Sequence, residues 1–426
     1  MDITWLCAKD FPLSEALLVD IESNSPLEIK VHLTLICRKL WASMNSTKII
    51  LTYKWLQDAI VTVEACLDRT WESLNSGCWK EVSIHYKYCY TFCTIIKSVL
   101  LLTQHKCKDA PTKSKIAQLK TFEDTILQID KGILLGSPPL SDPELLTTVA
   151  CKLTSLIHEL KGKKCLKVEN LMTFGCRALQ RTELPGLSLV LHYHQPSMEA
   201  FYKDIFHPKI PAVLKGCMEH WKALELWRNP EYLLKIAGVR TVPIEIGSHY
   251  TAEDWTQRLL TFSEFIVSYM TPDTPPKLGY LAQHELFNQI PELMDDIAVP
   301  DYCNFTDSGV DAKPPDINAW LGPKGTMSPL HFDPKNNLLC QVFGHKEVIL
   351  FHPQQTSNLY PYKTKLLTNT ARVDPTRPDF QKWPKFEKAI GMTSTLGPGE
   401  MLFIPPGWWH HVTALSQSFS VSFWWD

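Results

Sequence analysis

The chain has 426 residues, of which 45% are hydrophobic and 21% charged, with a formal net charge of −2 and a pI near 6.7. That length favours two domains over one. The near-neutral balance excludes a chain-wide electrostatic grip on nucleic acid or anionic lipid, so no direct nucleic-acid binding and no membrane partner is expected.

Thirteen cysteines, an odd number scattered through apolar runs, read as buried thiols of a reducing compartment rather than a disulfide framework. Cys89 and Cys93 lie four apart, and no second pair answers them at zinc-site spacing. The N-terminus carries Asp2 and Asp10 and no basic segment followed by an apolar run, so no signal peptide is expected. The run from Tyr90 to Leu102 is interrupted by Lys97 and is too short to span a bilayer. The expectation is a soluble intracellular protein.

From the N-terminus, apolar residues recur at helical spacing over Ser14–Ser23, Ile29–Met44, Trp55–Leu74, Ser83–Thr103, Lys113–Asp130 and Asp142–Leu160. Ser25-Pro26, Ser76-Gly77 and Gly136-Ser137-Pro138-Pro139 punctuate them as turns. An α-helical domain over residues 1–170 is therefore expected. Its basic clusters, Lys106–Lys115 and Lys161–Lys167, read as solvated loops or as contacts for acidic partners, the second also as a contribution to nuclear import.

The chain changes character near residue 180. Short β-rich runs follow at Leu187–His192, Ala212–Lys215, Val242–Ile246, Asn318–Leu321, Asn337–Val342, Glu347–Phe351, Met401–Ile404, His410–Leu415 and Ser418–Trp424. Helices are expected at Met198–Phe206, Pro230–Ala237, Thr261–Met270 and around Leu281–Ile290. Many short strands with few helices between them indicate a sandwich or barrel over residues 184–426. The fold class is thus α+β, a helical domain followed by a β domain.

One short segment carries the chemistry: Ser328-Pro329-Leu330-His331-Phe332-Asp333-Pro334. At a strand end, period-2 alternation sends His331 and Asp333 to one face. An imidazole beside a carboxylate suits a divalent iron, and one more histidine completes a facial triad that leaves open positions. That candidate stands in Pro405-Pro406-Gly407-Trp408-Trp409-His410-His411. Neighbouring strand residues face opposite ways, so only one histidine points inward. Val412 and Ala414 continue the face of His410 as apolar residues, whereas His411 shares the face of Trp409 and Thr413, which favours His410. An isolated His-x-Asp is common, and its weight depends on its surroundings.

Those surroundings resemble a known family. Trp320-Leu321-Gly322-Pro323, Ser328 through Asp333, Asn337 through Lys346, Pro398 through Pro405, and Trp408-Trp409-His410 follow in order the pattern of JmjC-domain oxygenases, in the small hydroxylase branch. The resemblance covers about residues 184–426. It implies a double-stranded β-helix (a jelly-roll, cupin-like JmjC domain), Fe(II) held by His331, Asp333 and His410, and 2-oxoglutarate and O2 as cosubstrates.

In that family a lysine fifteen residues after the first iron ligand binds the far carboxylate of 2-oxoglutarate, which here is Lys346. Physically this is sensible, because Lys346 opens a strand after the Gly344-His345 turn and a buried ammonium needs an anionic partner. The resemblance further implies that Ser328 and Tyr280 share that carboxylate, that Asn337 orients the metal-bound end and that Trp424 forms a wall.

For the substrate, the resemblance implies a protein whose arginine side chain is hydroxylated at carbon 3, a histone or other nuclear protein among the candidates. Glu245, an acid inside the apolar strand Val242–Ile246, suits a guanidinium. Tyr250 and Trp320 are candidates to stack on or wall the planar group. The same oxidation on an N-methyl group would make a methyl-lysine demethylase, but no zinc-finger or reader motif accompanies the domain. A peptidase finds no nucleophile or zinc signature. A catalytically inert scaffold would be expected to have lost a ligand or the lysine, and all four residues are present. The location implied is nuclear, with the cytoplasm as a second site.

Overall fold

The computed structural model describes residues 13–45, 50–76, 82–107, 114–162, 174, 186–271, 276–306, 313–364 and 367–426. The chain divides into two compact units, residues 1–167 with 239–241 and residues 168–238 with 242–426. Most of each basic cluster, residues 108–113 and 163–167, lies outside the described residues.

The first unit is built from α1 (Glu15–Asn24), α2 (Leu27–Asn45), α3 (Tyr53–Asn75), α4 (Ile84–Lys106), α5 (Lys115–Leu135) and α6 (Leu145–Lys161). Each expected helix is present, with ends displaced by a few residues. The starts of α1, α3, α4 and α5 are fixed by Ser14, Thr52, Ser83 and Ser114, whose side chains accept hydrogen bonds from first-turn backbone N–H groups. Helix α4 packs against α3 and α5, so it is buried on most of its circumference. Cys89 and Cys93 sit there as buried free thiols. Lys97, the one charge in that apolar run, reaches Glu64 at 2.9 Å. Among the described residues no helix is long and apolar enough to cross a membrane.

Among its described residues the second unit carries fourteen strands: β1 (Leu187–Leu189), β2 (Leu191–His194), β3 (Ala212–Lys215), β4 (Thr241–Ile246), β5 (Thr256–Thr261), β6 (Gly279–His284), β7 (Asp316–Gly322), β8 (Met327–His331), β9 (Asn336–Phe343), β10 (Lys346–Phe351), β11 (Gly391–Leu396), β12 (Met401–Ile404), β13 (Trp409–Ala414) and β14 (Ser418–Trp425). They form a five-stranded sheet in the order β1-β11-β10-β13-β8 and a nine-stranded sheet in the order β2-β3-β12-β9-β14-β7-β6-β4-β5. Inward side chains of both sheets, among them Val213, Leu339, Leu402, Val348, Leu350 and Val412, interdigitate in one apolar core. This is the expected β-helix sandwich.

Two expectations on elements are corrected. The single strand Leu187–His192 is two, because the chain leaves one sheet at Val190 and joins the other as β2. The helix around Leu281–Ile290 is split between strand β6, which runs to His284, and a short helix at Leu286–Gln289. Ala282, Leu286 and Ile290 recur at helical spacing, but Tyr280 and Leu281 are claimed by β4 and β7, and Gln283 at φ 45° ends the run. Strands β5 and β11 were not expected, since Thr256–Thr261 is largely exposed and Gly391–Leu396 is rich in Thr and Ser.

The turn joining β9 to β10 presents Lys346 to the interior and depends on Gly344, at φ 74°. A Cβ built there would collide with the Gln417 carbonyl. The variant Gly344→Ala is therefore expected to lose about 2–3 kcal/mol from the left-handed backbone and the clash together, read as a lowered unfolding midpoint in urea.

Candidate active site

The cavity lies between the two sheets, and its lining follows from strand alternation. Asn337 and Leu339 on β9, Ser422 and Trp424 on β14, and His410 and Val412 on β13 enter as residues two apart. Tyr280, Trp320, Ser328, His331, Asp333, Lys346 and Ile404 complete the wall.

Ser328 and His331 are three apart and would face opposite ways on a regular strand. They share the cavity because β8 bulges. His410 pairs with His331 and Val412 with Ser328, so two residues of β8, Pro329 and Leu330, oppose His411 alone. Proline has no N–H for the ladder, which confines it to edges and bulges, and β8 is the edge of its sheet. The same ladder sets His331 and His410 side by side, ring centroids 4.2 Å apart.

Each imidazole is oriented by its other nitrogen. Nδ1 of His331 lies 2.7 Å from the Pro329 carbonyl and Nδ1 of His410 lies 3.0 Å from that of Trp408. A carbonyl only accepts, so Nδ1 carries the proton and Nε2 turns a lone pair to the cavity. Burial, with His331 nearby, pushes the His410 imidazole down to about 4, keeping it neutral. Asp333 Oδ2 lies 3.6 Å from His410 Nε2 and 4.0 Å from His331 Nε2. It is buried without a hydrogen-bond partner. Two imidazole nitrogens and one orphaned carboxylate oxygen, all within 4.8 Å of one another, form a set that a divalent cation satisfies. His411 faces away, its Nε2 at 2.9 Å from Thr413 Oγ1.

Deeper in the cavity, Lys346 is 1% exposed. Burial pushes its ammonium down to about 7, and its Nζ has Tyr280 Oη at 3.4 Å. The Tyr280 phenol is held well above its ordinary value, first by burial and then by Glu245, and it is hydrogen-bonded to Ser328. Asn337 Oδ1 and Trp424 Nε1 are buried without hydrogen-bond partners. Trp320 donates from Nε1 to Ser422 Oγ at 2.8 Å and neighbours Tyr280 and Trp424, so it lies in this cavity.

Glu245 stands opposite Tyr280 across the β4–β6 ladder. Burial raises its carboxyl, partly offset by a hydrogen bond from Trp255. Tyr250 Oη lies 3.3 Å from Thr370 Oγ1, and Asp333 and Glu245 both act on its phenol. Sequence reasoning missed Trp255, Asn369, Thr370 and Gly407, which act through hydrogen bonds. Only Gly407, in Pro405-Pro406-Gly407, left a local signal.

Removing one ligand nitrogen should dismantle the set. His410→Ala is expected to weaken Co(II) binding by more than about 100-fold, followed by visible absorbance, with the fold retained.

The family described as "Cupin-like domain" matches residues 198–426. Over 394 residues the chain is 36% identical to Lysine-specific demethylase 8 of Xenopus tropicalis, covering 85% of this chain and 88% of that protein. It is 37% identical over 382 residues to Jumonji C domain-containing protein 5 of Drosophila melanogaster, covering 85% and 86%. It is also 25% identical over 261 residues to the bifunctional peptidase and (3S)-lysyl hydroxylase JMJD7 of Homo sapiens, covering 54% and 82%. Identity that extends past the cupin-like segment into the helical half, joined to the His331, Asp333 and His410 ligand set at the end of β8, means that the chain belongs to the JmjC family of Fe(II)- and 2-oxoglutarate-dependent oxygenases, close to Jumonji C domain-containing protein 5.

Proposed function

We propose that this oxygenase hydroxylates arginine side chains of protein substrates at carbon 3, histones and other nuclear proteins among them. The observation that carries the reading is Glu245. It is an acid on the otherwise apolar strand β4, half-buried beside the iron-binding cavity, and among the described residues no salt bridge reaches it. A guanidinium offers the planar fork of donors that matches a carboxylate. Tyr250 supports the entering side chain from the iron side, and Trp320 walls the cavity behind it.

Lys346 holds the far carboxylate of 2-oxoglutarate, with Tyr280 and Ser328 as hydroxyl partners. Asn337 orients the end near the metal, and Trp424 closes one wall. The spacing supports this. Lys346 pairs with Ala414, four residues along β13 from His410, or roughly 13 Å at strand rise. The lysine side chain takes up part of that distance, and a five-carbon dicarboxylate fits the remainder. Bound iron supplies the redox chemistry that couples decarboxylation of the oxo acid to oxygen insertion into a C–H bond. The chain's own residues bind, orient and exclude water.

Lysine demethylation is the second reading, and the name of the Xenopus relative favours it. A methylated ammonium has fewer donors than a guanidinium to fill the two oxygens of Glu245, which favours arginine. The name of the human relative supports hydroxylation of a basic side chain by a protein of this kind.

Incubation with Fe(II), 2-oxoglutarate and O2 against arginine and methyl-lysine peptides, read by tandem mass spectrometry, separates the two. The expected product gains one oxygen on arginine, with His410→Ala as the blank. Loss of a methylene from lysine would establish the second reading. Glu245→Gln is expected to lower kcat/KM on the arginine peptide by about 10- to 100-fold, the worth of a charged hydrogen bond.

The KM for 2-oxoglutarate should depend on pH through Lys346. Its ammonium titrates at about 7 in the free cavity, and a bound carboxylate favours the charged form. Binding above neutrality therefore takes up a proton. KM is expected to be flat below about pH 7 and to rise up to roughly tenfold per unit above it, and Lys346→Met should be high and flat throughout. A parent profile without that rise would count against the assignment.

A further inference from the structure

The strand ladder accounts for two of the three metal ligands and leaves the third unexplained. His331 is the last residue of β8 and pairs with His410. Asp333 lies two residues past the strand end, where β13 no longer holds the backbone. Its Oδ2 is buried without a hydrogen-bond partner among the described residues. Something else must fix the peptide between the two ligands.

Asn369 grips that peptide from both sides. The backbone N–H of Phe332 donates to the Asn369 carbonyl at 3.0 Å, and Asn369 Nδ2 donates to the Phe332 carbonyl at 3.0 Å. The flanking segment continues the pairing, since Ala371 N donates to the Leu330 carbonyl at 2.7 Å and Thr370 bridges His331. The Asp333 carbonyl receives Gly407 N at 2.8 Å, and the Phe332 ring packs edge-on against Trp409. Of the hydrogen bonds named here, the one from the Asn369 amide alone comes from a side chain, and it holds the link between the ligands. The Asn369 backbone carbonyl would be retained by any replacement.

The geometry points to Asn369 as a positioning residue that holds the His331-Phe332-Asp333 peptide in its metal-binding shape, through a side-chain bracket on Phe332 that supplements the strand ladder. Carboxylate placement then tolerates little freedom. A rotation of the Phe332 peptide would carry Asp333 Oδ2 away from the two Nε2 atoms while leaving His331 and His410 in register. Loss of the bracket should therefore cost metal affinity before it costs fold. The inference rests on the metal reading of the three ligands and is independent of which protein side chain is oxidised.

The test is Co(II) binding to the full chain, followed by visible absorbance, with Asn369→Ala and Asn369→Asp. The aspartate keeps the shape but turns an acceptor toward the Phe332 carbonyl, so a packing role alone predicts that it is harmless. Both variants are expected to bind Co(II) about 10-fold more weakly, the effect of losing a group that orients a ligand, with an altered visible spectrum and a metal-free melting temperature near that of the parent. Parent-like affinity and spectrum in either folded variant would overturn the inference. So would a collapse of the metal-free melting temperature in both, which would make the bracket a fold contact. A parent that binds no Co(II) would overturn the metal reading together with the inference, whereas loss confined to His410→Ala overturns the inference alone.

Discussion

The antiparallel register between β8 and β13 is the constraint on which the site depends. It sets His331 against His410, and the bulge at Pro329 and Leu330 decides which β8 side chains share their face. Without the bulge, Ser328 would sit on the opposite face from His331, and the cavity would lose a hydroxyl beside Tyr280. The proline is the physical cause. A residue without an N–H leaves a gap in the ladder, and the strand meets that gap by inserting one extra residue.

The second requirement is desolvation. Burial, with His331 nearby, lowers the His410 imidazole and keeps it neutral. A neutral imidazole is also the form that binds a metal. Lys346 shows the same logic at the far end of the cavity, where burial pushes its ammonium down to about 7. The two ends of the cavity carry opposite chemistry, imidazole and carboxylate donors at one and a buried lysine at the other. That pairing favours a chelating dicarboxylate over a neutral ligand.

Much of this was legible in the sequence, and the parts that were not share a cause. Helix positions followed from apolar periodicity and serine or threonine caps, which are local signals. His410 was distinguished from His411 by alternation, and the ladder agrees, since Val412 lines the same cavity while His411 turns to Thr413. Strand β6 was misread because a short apolar strand and the first turn of a helix cannot be told apart by apolar spacing alone. Trp255 and Asn369 were invisible because their roles are hydrogen bonds to residues 10 and 37 positions away in the chain. Asn369 and its partner share no local window, and Trp255, though nearer, reaches Glu245 by a bond that no spacing pattern marks.

The strand register and the asparagine bracket divide the work of holding one metal site. The register of β8 on β13 fixes the two histidines, and the bulge at Pro329 and Leu330 brings Ser328 onto their face. The bracket lies on the far edge of β8, where no further strand of the sheet is available, and it reaches only the carboxylate side. An edge strand is free to carry a ligand past its own end, which a central strand, paired on both sides, is not. That freedom lets Asp333 approach the histidines from outside the ladder, so the three donors surround a point instead of lying along a line. A divalent metal held there by His331, Asp333 and His410 would take three donors from this edge of the sheet.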